Sequence, residues 1–183
     1  MVSVFSHKRR IKLQFFHPTI PLPMIKKSFQ TTTIKKPLKL VADALEDFSL
    51  KNKLLCQPSI FVIQLEILSD QKMKSINQKH RKKNKTTDVL SFPLWDFVND
   101  SGIILPPIPE TPLGDILISL KVLLSQSHEF HLTPLEEFFH LVFHGFLHLM
   151  GFDHERGRKE ELLMEKKELE LIRTLKKIKN TNL

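Results

Sequence analysis

The sequence is nearly free of cysteine, lacks tyrosine and has no long apolar run. Of its 183 residues one is a cysteine, Cys56. This excludes an intramolecular disulfide and any zinc site built from several cysteines, and it fits a reducing compartment. Charged or polar residues interrupt each apolar stretch before the roughly 20 residues that a transmembrane helix requires. We therefore expect no membrane span, and the 14 Phe are expected to fill the core without functional meaning.

Acidic residues are absent from the start of the chain, where the first is Asp43. A basic, acid-poor leader is typical of organelle transit peptides, although three prolines before residue 24 argue against an amphipathic helix there. The N-terminus does not have the pattern of a secretory signal, so we expect a cytoplasmic protein, with an organelle as the less favoured alternative. Residues 1–36 are predicted to be strand and loop, with one strand at Ile11–Phe16.

The remaining composition indicates a folded domain with a basic surface. The hydrophobic fraction is 41%, enough for a real core, and the formal net charge is +8. A basic surplus favours polyanionic partners, either nucleic acid or anionic membrane, and composition does not choose between them. We predict one domain over 37–178 and a tail over 179–183.

Strand and helix patterns are interspersed along this domain, which predicts an α+β fold with a small mixed sheet packed against helices. The predicted elements are a helix starting at Pro37, a strand at Ile60–Leu68, a short helix from Ser69 or Asp70 through Asn77, a strand over 86–92, a loop over 94–112, a strand over 116–119, and helices at Leu120–Glu129, after Thr133, and over 159–177. The last helix is predicted to bury Leu162, Leu169, Ile172 and Leu175.

The helix after Thr133 has the clearest signals. Thr133 is a good N-cap, Pro134 suits the first helical position and Glu136 completes a capping box. The helix is apolar almost all round and is followed by Gly151, so we expect it to be central and buried.

Histidines break the apolar character of this helix. His144 and His148 are four residues apart and share a face, and a turn at Gly151 allows His154 to reach the same ion. Isolated core histidines are the alternative, but several buried imidazoles without ligands would each cost about 1–3 kcal/mol. His140, one turn earlier, is a possible fourth ligand and is better explained as a residue that lines the pocket or supports a ligand.

Three imidazoles and no further evident ligand indicate a catalytic metal, since structural zinc sites usually have four protein ligands. Zinc at such a site makes water reactive near neutral pH, which suits hydrolysis of esters, amides or phosphodiesters. The spacing equals that of metzincin proteases, HExxHxxGxxH. Those enzymes have a glutamate base where this chain has Gly145, so a peptide substrate is not expected.

Three segments form a recognisable set. Residues 144–154 have the sequence HGFLHLMGFDH, residues 77–81 and 87–93 have NQKHR and TDVLSFP, and residues 113–116 have LGDI. These segments resemble the YbeY family of bacterial and organellar endoribonucleases, which act in ribosomal RNA maturation. The resemblance spans about residues 38–175. It implies an α+β sandwich with a metal in a basic cleft, and one zinc per chain held by His144, His148 and His154. His80 departs from the family's usual aromatic residue, and the first 36 residues show no match.

The resemblance also implies a functional role for Arg81, and for His144 as a ligand that activity requires. A guanidinium can hold a phosphate through two parallel hydrogen bonds. Lys79, Lys82 and Lys83 either bind the RNA backbone or form a solvated basic loop. Asp153 either orients a ligand imidazole or caps the last helix.

These observations together predict a zinc-dependent endoribonuclease specific for single strands. The resemblance to the YbeY family further implies a role in maturation of the 3′ end of 16S-type ribosomal RNA and in ribosome quality control, with ribosomal subunits as partners. One alternative is a metal-binding ribosome assembly factor with little catalysis. A metzincin-like protease is a further alternative, which Gly145 disfavours.

Overall fold

Strands and helices alternate along the parts of the chain that the computed structural model describes, residues 1–8, 10–16, 31–55, 59–95 and 108–181. Cys56 and most of the predicted loop over 94–112 lie outside these residues. In chain order the elements are β1 (Val2–Phe5), β2 (Ile11–Phe16), α1 (Thr31–Lys51), β3 (Ile60–Leu68), α2 (Asp70–Arg81), β4 (Val89–Pro93), β5 (Glu110–Ser119), α3 (Leu120–Glu129), α4 (Pro134–Leu149), a 3₁₀ turn (His154–Arg156) and α5 (Arg158–Thr181). Among the described helices, none is both long and apolar enough to span a membrane.

The strands form one mixed sheet in the order β1-β2-β3-β5-β4. Strands β2, β3 and β5 are parallel to one another, and β1 and β4 pair antiparallel at the two edges. Parallel neighbours require crossover connections, and α1 lies in the crossover from β2 to β3. The predicted fold class, a single α+β domain with a small mixed sheet, is confirmed.

The helices cover the two faces of the sheet unequally. On one face, α1, α4 and α5 enclose a large core that includes Phe48, Phe146 and Leu171. On the other face, α2 packs Met73 against Leu68 and Leu90 in a small second cluster. Because α4 packs against the sheet, α3 and α5, it is buried along most of its length, as predicted.

Several predicted elements agree closely with the structure. Strand β3 and helix α3 have the predicted bounds, and β2 is present at Ile11–Phe16. The hydroxyl of Ser69 caps α2 by accepting a hydrogen bond from the Lys72 N–H at 3.4 Å. Helix α2 continues beyond Asn77 to Arg81, and β4 begins at Val89, three residues later than predicted.

Helix α1 begins six residues earlier than predicted. The sequence predicts Pro37 in the first turn, whereas the helix starts at Thr31 and contains Pro37 in its interior. Proline at an interior position removes one backbone hydrogen bond. The turn before Pro37 carries Ile34, whose side chain is fully buried in the large core. Tertiary packing of this turn therefore outweighs the local preference for a helix start at proline.

Strand β5 also begins six residues earlier than predicted, at Glu110, so Pro112 lies within it. Pro112 pairs with Val62 of β3, and β4 joins β5 only from Gly114 onward. At Pro112 the strand consequently has one neighbour, where a missing N–H is tolerated. The carbonyl of Pro112 accepts a hydrogen bond from the indole N–H of Trp95 at 2.6 Å.

The apolar face of α5 differs from the prediction. Leu175 is buried and Ile172 is half-buried, as predicted. Leu162 and Leu169, however, are 48% and 53% exposed. The buried side chains of α5 are those of Met164, Leu171 and Leu175. The contact face is therefore rotated from the predicted one, because α5 packs against both α1 and α4.

A buried carboxylate holds the turn between β1 and β2. Glu46 of α1 is 1% exposed. It accepts hydrogen bonds of 2.9 Å from the Ser6 hydroxyl and from the backbone N–H groups of Lys8 and Arg10. These donors would otherwise be unpaired in or near the interior, so Glu46 fixes the edge hairpin to the body of the domain.

We expect Glu46→Ala to lower the free energy of unfolding by roughly 2–4 kcal/mol, since it removes a charged acceptor of three hydrogen bonds. Urea denaturation of the two proteins would measure the difference. Asp47→Ala is the matched control, because the Asp47 side chain is 40% exposed and pairs with His7 at the surface. Equal losses in the two variants would show that Glu46 has no special role in stability.

Candidate metal centre and cleft

Helix α4 begins and ends at well-defined caps. The Thr133 hydroxyl accepts from the Glu136 N–H at 3.2 Å, and the Glu136 carboxylate accepts from the Thr133 N–H at 2.8 Å, which confirms the predicted capping box. After the helix, Gly151 adopts φ +81°, a left-handed conformation that glycine accommodates without strain. The Phe152 N–H then bonds back to the Leu147 carbonyl at 3.0 Å. This turn returns the chain toward α4 and brings His154 beside it.

The structure brings His144, His148 and His154 together. One ring nitrogen from each lies within 4.8 Å of the other two, so the three could hold one metal ion. The ring centroids are separated by 4.7 Å, 5.2 Å and 5.3 Å, and the Nε2 atoms of His144 and His148 are 3.1 Å apart. The donor set suits zinc, and the three histidines would leave a coordination position for water or substrate if they held the ion.

The environment of His148 favours the neutral imidazole. Burial lowers the pKa of His148 to about 4, and the neighbouring charges of His144 and His154 act in the same direction. A neutral ring nitrogen is the form that coordinates a metal. His148 is therefore ready to act as a ligand at physiological pH.

Sequence reasoning missed a carboxylate next to this cluster. The Nδ1 atom of His144 lies 2.7 Å from Oε1 of Glu168, which is on α5. The two residues are 24 positions apart, so helical spacing within α4 could not reveal the contact. One sequence signal was available, because Glu168 interrupts the apolar stripe of Met164, Leu171 and Leu175. The incorrect apolar face predicted for α5 concealed it.

The three histidines lie in or beside a cleft of about 910 Å³. The cations lining it are Arg81, Lys83, Lys85 and Arg156. The guanidinium of Arg81 donates a 2.6 Å hydrogen bond to Glu155, the neighbour of His154. This contact lowers the pKa of Glu155, so its carboxylate is charged and the pair is ionic. The cleft is thus a basic surface beside a candidate metal centre.

The other predicted site residues differ in whether they line this cleft. Lys83 lines the cleft, whereas Lys79 and Lys82 are exposed and do not line it. His140 is also exposed and outside the cleft lining, so the structure does not bring it to the histidine cluster. Asp153 lines the cleft but accepts from the Glu155 N–H at 3.0 Å and from Arg156 Nε at 3.2 Å. Asp153 therefore caps the 3₁₀ turn and not the last helix, α5, and the carboxylate that contacts one of the clustered imidazoles is that of Glu168.

A second groove, of about 1150 Å³, lies between α1 and α5. Its carboxylates are engaged in ion pairs, since Asp43 contacts Lys39 at 2.6 Å and Glu170 contacts Lys51 at 2.5 Å. None of the three clustered histidines is among its described lining residues. Volume alone therefore does not identify the functional site, because the clustered histidines line the smaller cleft.

Comparison with known proteins agrees with the geometry. A family model described as endoribonuclease YbeY matches residues 24–176. The chain belongs to the endoribonuclease YbeY family. The endoribonuclease YbeY of Leptospira interrogans is 44% identical over 121 residues, which cover 62% of this chain and 86% of that protein. The endoribonuclease YbeY of Thermodesulfovibrio yellowstonii is 33% identical over 143 residues, 78% of this chain and 84% of that protein.

Membership in the endoribonuclease YbeY family identifies the chain as a hydrolytic nuclease. The solution structure of TM1509 from Thermotoga maritima resembles it with a TM-score of 0.55 at 23% identity, and the match covers 93% of each chain. This likeness shows a shared fold. The histidine cluster and the basic cleft are thus features of a member of this endoribonuclease family.

Gly145 distinguishes this endoribonuclease YbeY family member from peptidases with the same histidine spacing. A Cβ atom at Gly145 would lie 2.7 Å from Cγ2 of Ile116 and 3.0 Å from the Ser91 hydroxyl. Position 145 is therefore in close contact with the sheet, and it has no room for a longer side chain. The glutamate base of a metzincin could not be accommodated here without moving α4.

We expect Gly145→Ala to lower the free energy of unfolding by about 1–3 kcal/mol through overpacking against Ile116. Helix propensity alone predicts the opposite sign, a gain of up to about 1 kcal/mol. Thermal unfolding of both proteins, monitored by circular dichroism, distinguishes a loss of stability from a gain. A more stable Gly145→Ala variant would show that α4 is not held tightly against the sheet at this position.

Proposed function

We propose that this protein is a zinc-dependent endoribonuclease that is specific for single-stranded RNA. The observation that carries the proposal is the convergence of His144, His148 and His154 beside a cleft lined by cations, in a chain of the endoribonuclease YbeY family. Zinc bound at such a site makes water reactive toward a phosphodiester near neutral pH. His144 contributes to activity as one of the ligands.

Arg81 is proposed to hold the scissile or adjacent phosphate. It lines the cleft and already binds a carboxylate, that of Glu155, at 2.6 Å. A phosphate can replace this carboxylate because both present paired anionic oxygens to the planar guanidinium. Lys83 is proposed to attract the RNA backbone from the same cleft. Lys79 and Lys82, exposed outside the cleft, would contribute only a general attraction.

The preference for single strands is supported by aromatic rings in the cleft. His80 and Phe92 both line it, with ring centroids 5.0 Å apart in an edge-to-face arrangement. Trp95 lines the same cleft. Rings in a basic groove can stack on bases that are unpaired, whereas bases in a duplex are stacked on one another.

The proposed biological role is processing of ribosomal RNA, including the 3′ end of 16S-type RNA, and ribosome quality control, with ribosomal subunits as partners in the cytoplasm. Membership in the endoribonuclease family and the basic cleft support this proposal. A metal-binding ribosome assembly factor with little or no catalysis is the alternative. Cleavage of single-stranded ribosomal RNA with and without a chelator separates the two.

Purified protein is expected to contain about one zinc per chain. His148→Ala should lose the metal, because two imidazoles bind it weakly. Elemental analysis after dialysis measures the content. His131→Ala is a suitable control, since His131 is exposed and outside the histidine cluster. Wild-type zinc content in His148→Ala would refute the ligand assignment.

Arg81→Ala should reduce single-turnover cleavage of single-stranded RNA by about 10²–10³-fold, because it removes a donor directed at developing charge. Arg81→Lys should restore little, since lysine lacks the paired donors. Lys83→Ala should weaken binding modestly, in a way that added salt masks.

Zinc content is measured in each of these variants. If Arg81→Ala retains zinc and cleaves as well as Lys83→Ala, Arg81 belongs to the general basic surface and its proposed role is wrong. Zinc-dependent peptide cleavage that His144→Ala abolishes would instead favour the protease alternative.

A further inference from the structure

We propose that Glu168 is the positioning residue of the metal centre, through its hydrogen bond to His144. The inference rests on the metal site of the proposed function and adds a residue to it from a different helix. Glu168 does not contact the ion in this proposal. It fixes which nitrogen of His144 is available and the direction in which that nitrogen points.

The hydrogen bond determines the tautomer of His144. A carboxylate oxygen can only accept, so the Nδ1 atom of His144, 2.7 Å from Oε1 of Glu168, is the donor. The proton on Nδ1 leaves a lone pair on Nε2. That Nε2 atom lies 3.1 Å from Nε2 of His148, on the side where the histidines converge. The tautomer that binds Glu168 is therefore the tautomer that can bind a metal.

The position of Glu168 is set by the packing of α5. Met164 and Leu171, one turn before and one turn after it, are 1% and 0% exposed. They anchor that face of α5 in the large core, which α4 also lines. Glu168 is thus a polar residue on the buried side of α5. It contacts α4, the helix that carries His144 and His148.

Other carboxylates near the cluster are already engaged elsewhere. Asp153 accepts from the Glu155 N–H and from Arg156 as it caps the 3₁₀ turn. Glu155 binds Arg81. The described contacts therefore leave Glu168 as the carboxylate that orients a ligand imidazole. Outer partners of this kind typically change metal affinity or activity 10–100-fold when they are removed.

The test is the zinc affinity of purified Glu168→Ala and Glu168→Gln, measured by competition with a chromophoric chelator. Glu168→Ala should bind zinc 10–100-fold more weakly than wild type. The zinc affinity of Glu168→Gln should lie between those of wild type and Glu168→Ala, because the glutamine amide oxygen still accepts a hydrogen bond but carries no charge. Glu165→Ala is the matched control, since Glu165 is exposed on the same helix, three residues away.

Two further readouts separate positioning from a structural role. The visible absorption of the Co²⁺-substituted protein, which reports ligand geometry, should change in Glu168→Gln and stay unchanged in Glu165→Ala. In excess chelator, the melting temperature of Glu168→Gln should equal that of wild type, and only its increase on zinc addition should be smaller. Zinc affinity in Glu168→Ala within threefold of the Glu165→Ala value would overturn the proposal, as would a wild-type protein that binds no zinc.

The outcome is distinguishable from failure of the proposed function. If zinc binds wild type tightly and Glu168→Ala weakly, while wild type cleaves no RNA, the nuclease proposal fails and the role of Glu168 stands. If wild type cleaves RNA and both Glu168 variants bind zinc as wild type does, the role of Glu168 is wrong and the nuclease proposal stands.

Discussion

The close packing of α4 against the sheet at Gly145 is the contact on which the site depends. A methyl group there would lie 2.7 Å from Ile116, so the backbone of α4 can approach the sheet only because position 145 has no side chain. Because this side of α4 is fixed against the sheet, His144, next to Gly145, and His148, about one turn later, lie together in the cleft lining. The same contact excludes the glutamate that a peptidase would need. One packing constraint thus sets the direction of two candidate ligands and limits the chemistry.

The cleft contains a half-buried imidazole cluster and an exposed ion pair, and these two features differ in how much free energy their rearrangement costs. Arg81 and Glu155 are 39% and 57% exposed at their side chains. Ion pairs with this exposure generally contribute about 1 kcal/mol or less, so a phosphate can displace Glu155 at little cost. Rearrangement of the half-buried histidines, one of which binds Glu168, would cost more. The architecture therefore suits a fixed metal centre beside a binding surface that adapts to its substrate.

Sequence reasoning succeeded where the determining interactions are local. Helix α4, its capping box at Thr133 and the histidine spacing depend on residues within a few turns of one another. It failed where distant contacts decide. Helix α1 begins before Pro37 because the side chain of Ile34 packs in the large core. The sequence does not predict strand β1, because its four residues are stabilised by pairing with β2, and the turn that joins the two strands is held by the distant Glu46. Such contacts have no signature within the segment itself.

Glu168 illustrates the same limit at the candidate site. Its role depends on the rotation of α5, and the sequence allowed two apolar faces for this helix, one containing Leu162 and Leu169 and another containing Met164 and Leu171. With the second face packed in the core, the carboxylate that lies among its buried residues and contacts His144 is that of Glu168. The structure resolves the ambiguity because α5 packs against α1 and α4 together, which fixes its rotation. Histidine spacing can therefore indicate which residues meet at a metal, whereas the residues that orient them follow from how neighbouring helices pack.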